Sequence, residues 1–527
     1  GLSYTDFSIF GAGVSIDGTR VNLAASVTNI GANYSGKEVA QVYLSAPAGK
    51  LHKEYQSLVA FAKTKELAPA ESETLQMSFD MKEVASYDEE RASYVLEAGE
   101  YIVRLGNSSR KTVPVAVITL DKEVIVSTHC HICPVTEPIE ELKSENRQPE
   151  AVNPGVPRLA LDAAAFETIH YTYENPAVYS DERVDKFMNT LTLKEMVEIV
   201  VGIGMFGGET RFNMPGSVGN TTSKFWDRGL ANVTLCDGPA GLRITKRSVV
   251  QKDGSVKPVE LPISVFEMFP EFVQGFLKAD PEKGTVIYQY TTAFPVTAAL
   301  AQAWNVELLE EVGKAIFVEM KEYGCTFWLA PAVNIHRNPL CGRNFEYVSE
   351  DPFLTGEVAA ALTLGVQQEE GYYVTVKHFA CNNMEDNRNK VSSNLTERTL
   401  REIYLRGFER AVRKGKAKAI MTSYNRINQV YAPNSHDLCT KVLRKEWGFD
   451  GVVMTDWFST NKGLGNNAVA MRAGNDLIMP GGGSYKKEIL AGVKSGMISE
   501  KDVRRCCANV VRAIMDSATQ KEYIDRK

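Results

Sequence analysis

One arrangement recurs through the C-terminal two thirds of the sequence: a short apolar, β-branched segment ends on a polar or aromatic side chain, and a stretch with helical spacing follows. Residues 233–237, 374–378, 419–424 and 451–457 show it, 327–331 is a related apolar segment that ends in Pro331, and a sixth segment, 476–480, runs into glycines. Strand-then-helix units repeated over residues 181–520 predict a (β/α)8, TIM-barrel-like domain rather than an open doubly wound sheet, which is more often shorter. In either architecture ligands bind at the C-terminal ends of the strands, so chemistry is expected at these few positions. Asp456, at the end of the run 451–455, is the first candidate, although an Asp there also serves as an ordinary turn or helix-capping residue.

The first 118 residues follow a different period. Val21, Leu23, Ala25 and Val27 alternate with polar residues, residues 39–44 repeat the pattern, and the turn formers of 28–36 lie between them. With further strands expected at 73–79 and 99–105, residues 1–118 are predicted to form a β-sandwich. Residues 119–180 hold prolines, mixed charges and little periodicity, and are read as a linker that wraps over its neighbours. Helical spacing begins at 183–191, and Thr192 with Glu195 forms a capping-like pattern for a second helix. Residues 244–293 interrupt the strand–helix repeat with an insertion containing Phe266, Phe269, Phe272 and Phe276. A lid, a dimer contact and an elaborated loop are all open for it; a structural or interface role is preferred, and a homo-oligomer is compatible.

Composition removes several function classes. A net charge of −6 over 527 residues offers no polybasic surface for nucleic acid. Apolar runs stop well short of the ~18 residues of a membrane span. Nine cysteines, an odd number without regular spacing, point to reduced thiols and a cytoplasmic protein, and the first residues show neither Met nor a signal-peptide pattern. The densest group, His129, Cys130, His131 and Cys133, lacks the second pair that zinc requires and is read as a strand or linker segment. Gly481, Gly482 and Gly483 lack the Lys and Ser/Thr of a phosphate-binding loop. Neither a metal nor a cofactor is expected.

The side chains at the strand ends suit a sugar instead. Asp456 and Asp237 supply carboxylates, Arg243, Arg343 and Lys377 supply cations, His378 an imidazole, and Tyr424 and Trp457 aromatic faces. Charged groups bond strongly to vicinal hydroxyls, and an aromatic ring covers the apolar face of a pyranose. From the residues alone, Arg343 and Lys377 also fit structural salt bridges with Glu346 or Asp351, and His378 fits a satisfied core histidine. A carbohydrate-binding or assembly module without turnover therefore stands beside an enzyme as an alternative.

Residues 236–243, 342–346, 377–379, 421–425 and 451–457 resemble, in order and approximate spacing, the successive motifs of glycoside hydrolase family 3, the β-glucosidase family. Residues 1–118 resemble its fibronectin type III-like domain, so the resemblance covers most of the chain. It implies a retaining, exo-acting β-glycosidase that removes terminal β-D-glucosyl residues from a β-glucoside or oligosaccharide; a β-xylosidase or a β-N-acetylglucosaminidase is the alternative within the family. It implies Asp456 as the nucleophile that forms a glycosyl-enzyme intermediate. It further implies that Asp237, Arg243, Arg343, Lys377 and His378 hold the hydroxyls of the sugar in the −1 subsite. Tyr424 would sit against the nucleophile, Met421 would line the pocket, and Trp457 would border it toward the leaving group. Glu385 and Arg388 are expected to support these groups.

A retaining glycosidase needs a second carboxyl group, about 5–5.5 Å from the nucleophile, to protonate the leaving oxygen. In the β-glucosidase branch this group comes from an α/β-sandwich domain, which in members with inverted domain order precedes the fibronectin-like domain. The resemblance thus implies that the acid/base lies in a domain or second chain beyond these 527 residues, the chain being the C-terminal part of a larger polypeptide or one of two associating pieces. The N-acetylglucosaminidase branch uses an Asp–His pair after the Lys-His strand, and residues 379–388 contain no His. Glu260, Glu267 and Glu271 of the insertion are further candidates for the acid, none singled out by the sequence. Glu397, Arg398, Arg401 and Glu402 are read as surface charges on a helix.

Overall fold

A computed structural model describes residues 3–141, 152–174, 181–204, 214–252, 256–260, 275 and 278–525. The chain divides into two compact units: Gly1–Thr172 with Gln302–Asn305 and Thr396–Glu402, and the remainder.

In the first unit the sequence alternation becomes burial. Strand Arg20–Asn29 buries Val21, Leu23, Ala25 and Val27, none more than 1% exposed. It pairs antiparallel with Phe7–Asp17 and Ser72–Asp80. A five-stranded sheet, in the order Arg158–Leu161, Lys111–Leu120, Gly99–Ser108, Val39–Ser45 and Ser57–Lys63, contributes Val42, Val103, Leu105 and Ile118 to the same core. Two sheets with shared inner faces make a β-sandwich.

Among the described residues of 119–180, three segments form strands where a linker was expected. Val124–Thr128 pairs with Ser93–Leu96, Arg158–Leu161 runs parallel to Lys111–Leu120, and Ile169–His170 runs parallel to Val124–Thr128. Strands of five, four and two residues are too short to display a period, so the sequence hid them. Glu397 and Arg401 are also not surface charges, being only 7% and 3% exposed. Glu397 accepts hydrogen bonds from the Tyr87 hydroxyl at 2.6 Å and from Arg401 Nε at 2.8 Å, partners that a buried carboxylate requires. His129 packs against the rings of Tyr87, Tyr94 and Tyr171. Cys236, Cys325, Cys341, Cys506 and Cys507 are buried free thiols, and among the described residues no group of three or more His, Cys, Asp or Glu is arranged for a metal.

The second unit is built on a seven-stranded sheet in the order Ile203–Gly204, Gly219–Asn220, Thr234–Asp237, Phe327–Leu329, Tyr373–Phe379, Ala419–Thr422 and Val452–Thr455. The last five run parallel, whereas Gly219–Asn220 is antiparallel to both neighbours. Single parallel bridges from Met454 to Leu477 and from Ile478 to Val201 return the hydrogen bonding from the last strand to the start of the first. The sheet is TIM-barrel-like, and the regular strand-and-helix repeat holds over its later strands only. Leu235, Leu329, Met421, Met454 and Ile478 share its core.

Local signals fix several helices. Thr192 and Glu195 make the expected capping box at the start of Leu193–Val200. Asp351 caps Pro352–Val366, accepting from Leu354 N at 2.8 Å, and so is occupied as a helix cap. The insertion holds a small antiparallel sheet in the order Val256–Pro258, Arg247–Val250 and Thr285–Tyr288. Phe266, Phe269, Phe272, Phe276, Glu267 and Glu271 lie outside the described residues. Among the described residues no helix is long and apolar enough to cross a membrane.

Candidate active site

Parallel strands bring their C-terminal ends to one face, and there Thr234–Asp237, Tyr373–Phe379 and Val452–Thr455 present their last side chains. Lys377 Nζ, on a residue only 3% exposed, donates to Asp237 Oδ1 at 2.7 Å. Arg243 forms a second ion pair with Asp237. It returns to the strand end because Gly238 and Gly241 take φ values of 127° and 110°, closing a turn in which Arg243 N donates to Asp237 O at 2.8 Å. Burial works to raise the pKa of Asp237, but Lys377 and Arg243 outweigh it and hold the carboxyl well below the usual range.

Successive residues of a strand ordinarily point to opposite faces. The pairing of Tyr373–Phe379 with Ala419–Thr422 slips between Lys377 and Phe379, leaving His378 out of register, and such a bulge re-aims side chains. His378 is 1% exposed and clamped by Asn334, whose Oδ1 accepts from His378 N at 2.9 Å and whose Nδ2 donates to His378 O at 2.8 Å. Burial, followed by the charges of Arg343, Lys377 and Arg388, pushes the imidazole pKa well below its ordinary value and keeps it neutral.

Asp456 is 7% exposed. Its Oδ1 accepts from the Trp457 N–H at 2.7 Å, while its Oδ2 has no hydrogen-bond partner among the described residues. Burial raises its pKa, opposed by Arg343, Lys377 and Arg388 and by the Trp457 N–H. The Tyr424 hydroxyl donates to Trp457 O at 2.8 Å, and the Arg388 guanidinium lies 4.3 Å from the centre of the Tyr424 ring. Burial and the nearby Asp456 push the phenol well above its ordinary pKa, so it stays protonated. Trp457 Nε1 donates to Val218 O at 3.1 Å, and a Cβ on Gly219 would come within 3.2 Å of the indole.

The predicted residues therefore fall into three groups. Contacts join Lys377 and Arg243 to Asp237, and join His378, Trp457 and Tyr424 into a second set around Asp456, the two sets meeting at the adjacent residues Lys377 and His378. Arg343 and Arg388 act on Asp456 by charge while pairing with Glu346 and Glu385 respectively. Met421, 2% exposed, belongs to the apolar core against which Trp457 packs. Glu260 pairs with Arg247 in the insertion. The sequence reading missed Asn334, Asn382 and Tyr347. Asn382 Nδ2 donates to Glu385 Oε1 and to the Tyr347 hydroxyl, each at 3.0 Å, and the Tyr347 ring meets His378 edge-on at 6.2 Å. An Asn shortly after an apolar run was the available signal, and it is also the ordinary signature of a turn.

This arrangement presents a buried carboxyl group with one oxygen held and the other without a hydrogen-bond partner among the described residues, beside three cations and a neutral imidazole. Among proteins of known family, residues 271–513 match the glycosyl hydrolase family 3 N-terminal domain and residues 38–109 the fibronectin type III-like domain. The chain is 35% identical to β-glucosidase A of Butyrivibrio fibrisolvens, over 94% of its own length and 58% of the relative's. It is likewise 35% identical to a β-glucosidase of Ruminococcus albus, over 98% and 52%. The solved structure of a β-glucosidase from Paenibacillus barengoltzii matches 99% of this chain and 56% of that one, with a TM-score of 0.79 and 32% identity. The chain thus spans just over half the length of these relatives.

Proposed function

Because the chain is a β-glucosidase-like member of glycosyl hydrolase family 3, we propose that it provides the nucleophile and most of the sugar-holding groups of a retaining, exo-acting β-glucosidase. One observation supports this reading above the rest: Asp456 is buried, ionisable, pinned through Oδ1 and, among the described residues, without a hydrogen-bond partner at Oδ2.

In the first step Asp456 Oδ2 attacks the anomeric carbon, and the bond to the leaving oxygen breaks as the glycosyl-enzyme ester forms. The Trp457 N–H holds the other carboxylate oxygen, which fixes the direction of attack. Asp237 and Lys377, each charged and held by the other, accept from and donate to sugar hydroxyls, with Arg243 beside them. Neutral His378 offers one ring nitrogen as donor and one as acceptor. Water then cleaves the ester at the same carbon, so the configuration is retained. The proton for the leaving oxygen comes from an acid/base carboxyl in a domain or chain beyond these residues, a reading supported by the extra length of the relatives.

An aryl 2-deoxy-2-fluoro-β-glucoside tests the assignment, because its activated leaving group needs little protonation. A covalent fluoroglucosyl adduct on Asp456, found by peptide mass spectrometry and lost in Asp456→Asn, is the expected result. An adduct on another residue refutes the nucleophile. Sugar binding without any adduct favours a carbohydrate-binding module.

A further inference from the structure

Strand Val452–Thr455 leaves the sheet through a tight turn from Asp456 to Ser459. The Ser459 N–H closes it by donating to Asp456 O at 3.2 Å, and the Ser459 hydroxyl donates to the same oxygen at 2.9 Å. Phe458 has a φ of 66° within it, and Trp457 before it does not take a positive φ. That combination is a type II turn, whose ordinary occupant at this place is glycine or asparagine; a bulky residue there is an outlier. The Phe458 ring is 38% exposed, so core packing does not force the conformation. Hydrogen bonds do. Every N–H and C=O from Asp456 to Ser459 is bonded, including Phe458 N to Met479 O at 3.4 Å and Asn461 N to Phe458 O at 3.1 Å. A shell of this kind holds a strained residue in place.

In the unstrained alternative, a type I turn, the peptide between Trp457 and Phe458 is turned over and the Trp457 carbonyl faces the other way. Only the strained form offers that carbonyl to the Tyr424 hydroxyl, which donates to it at 2.8 Å. The phenol has one proton to give, and burial and the adjacent Asp456 carboxyl both keep it on the oxygen. Deprived of Trp457 O, Tyr424 would donate to that neighbouring carboxyl and blunt attack by Oδ2, which has no hydrogen-bond partner among the described residues. Resting on the reading of Asp456 as the nucleophile, we propose that Phe458 is a positioning residue. Its left-handed backbone keeps the Trp457 carbonyl on the Tyr424 hydroxyl, and so keeps the phenol proton off the nucleophile.

Phe458→Val and Phe458→Asn both delete the ring, but only Val resists a positive φ. Labelling of Asp456 in the full chain by the aryl 2-deoxy-2-fluoro-β-glucoside, followed by mass spectrometry, separates the rate at saturating reagent from the half-saturating concentration. Phe458→Val should lower that rate about tenfold and leave the half-saturating concentration within about twofold, whereas Phe458→Asn should keep both within about twofold. Phe458→Ala should fall between them, and it replaces Phe458→Val if that variant does not fold. Combined with Tyr424→Phe, which has no proton to redirect, Val and Asn at 458 should label at equal rates. Equal slowing by Val and Asn assigns the effect to the ring and overturns the proposal. So does a Phe458→Val chain that labels like the unmodified one, or one that stays slower than Phe458→Asn when Tyr424→Phe is added. An unmodified chain that forms no adduct on Asp456 overturns the reading of the nucleophile and this proposal with it.

Discussion

His378 Nε2 stands 3.6 Å from Asp456 Oδ2, the carboxylate oxygen with no hydrogen-bond partner among the described residues. Burial alone would neutralise both groups. Arg343, Lys377 and Arg388 break that symmetry, because their positive charge favours an ionised Asp456 and an unprotonated His378. The three cations thus push the His378 pKa further down and oppose the rise that burial imposes on Asp456.

This makes stability sensitive to mild acid. His378 has a lower pKa folded than unfolded, so the unfolded chain binds the extra proton, and stability rises with pH up to the unfolded value of ~6.5. Its contribution is present above that value and lost as pH falls below it. Asp456, shifted upward, acts in the opposite sense at more acid pH. Urea denaturation at pH 5 and pH 7.5 should show a smaller difference for His378→Gln than for the unmodified chain. Equal differences would remove His378 as the cause.

Lys377→Met strands Asp237 beside Arg243 alone. The expected loss is about 2 kcal/mol, since Asp237 is partly open and keeps one cation. Adding Asp237→Asn should recover part of it. Strict additivity in the double-mutant cycle would show that the two groups are not coupled.

Gly219 and Gly202 provide a matched pair. A Cβ at either would press on Met479, but only the one at Gly219 also meets the Trp457 indole. Gly219→Ala is expected to weaken glucose binding about fivefold and to shift tryptophan emission, because the ring is tethered through Nε1 to Val218 O. Gly202→Ala should lower stability without either effect. Equal behaviour of the two variants would mean that Trp457 is not set by Gly219.

Asn334→Asp keeps the acceptor for His378 N and removes the donor to His378 O. The added charge should raise the His378 pKa, so the acid limb of the activity profile moves to higher pH. Asn334→Ala leaves both buried backbone groups unpartnered and should cost about 2–4 kcal/mol. An acid limb at the same pH in Asn334→Asp and the unmodified chain would show that His378 does not control it.

Legibility in the sequence followed the range over which each signal acts. Asp237, Lys377, His378, Tyr424 and Asp456 stood out because an apolar run and the polar group that ends it are adjacent in sequence. Gly219–Asn220 did not, since two residues have no period, and nothing local declares a strand that runs against its neighbours. Asn334 looked like a turn residue until His378 was folded against it. Glu397 and Arg401 carried the spacing of surface charges, and their burial depends on Tyr87, which is remote in sequence. The strands within 119–180 were hidden for the reason that hid Gly219–Asn220: each is a short partner completing a sheet whose signal lies elsewhere.

The bridges through Leu477 and Ile478 also order events in time. One edge of strand Val452–Thr455 is satisfied by Ala419–Thr422, but the other waits for Leu477, whose neighbour Ile478 pairs with Val201 near the opposite end of the unit's sequence. Such distant pairings pay their loop entropy first and form late. During synthesis the chain must emerge past Ile478 before the strand that ends at Asp456 has both neighbours, so the setting of this carboxylate is completed by a segment that follows it in the sequence.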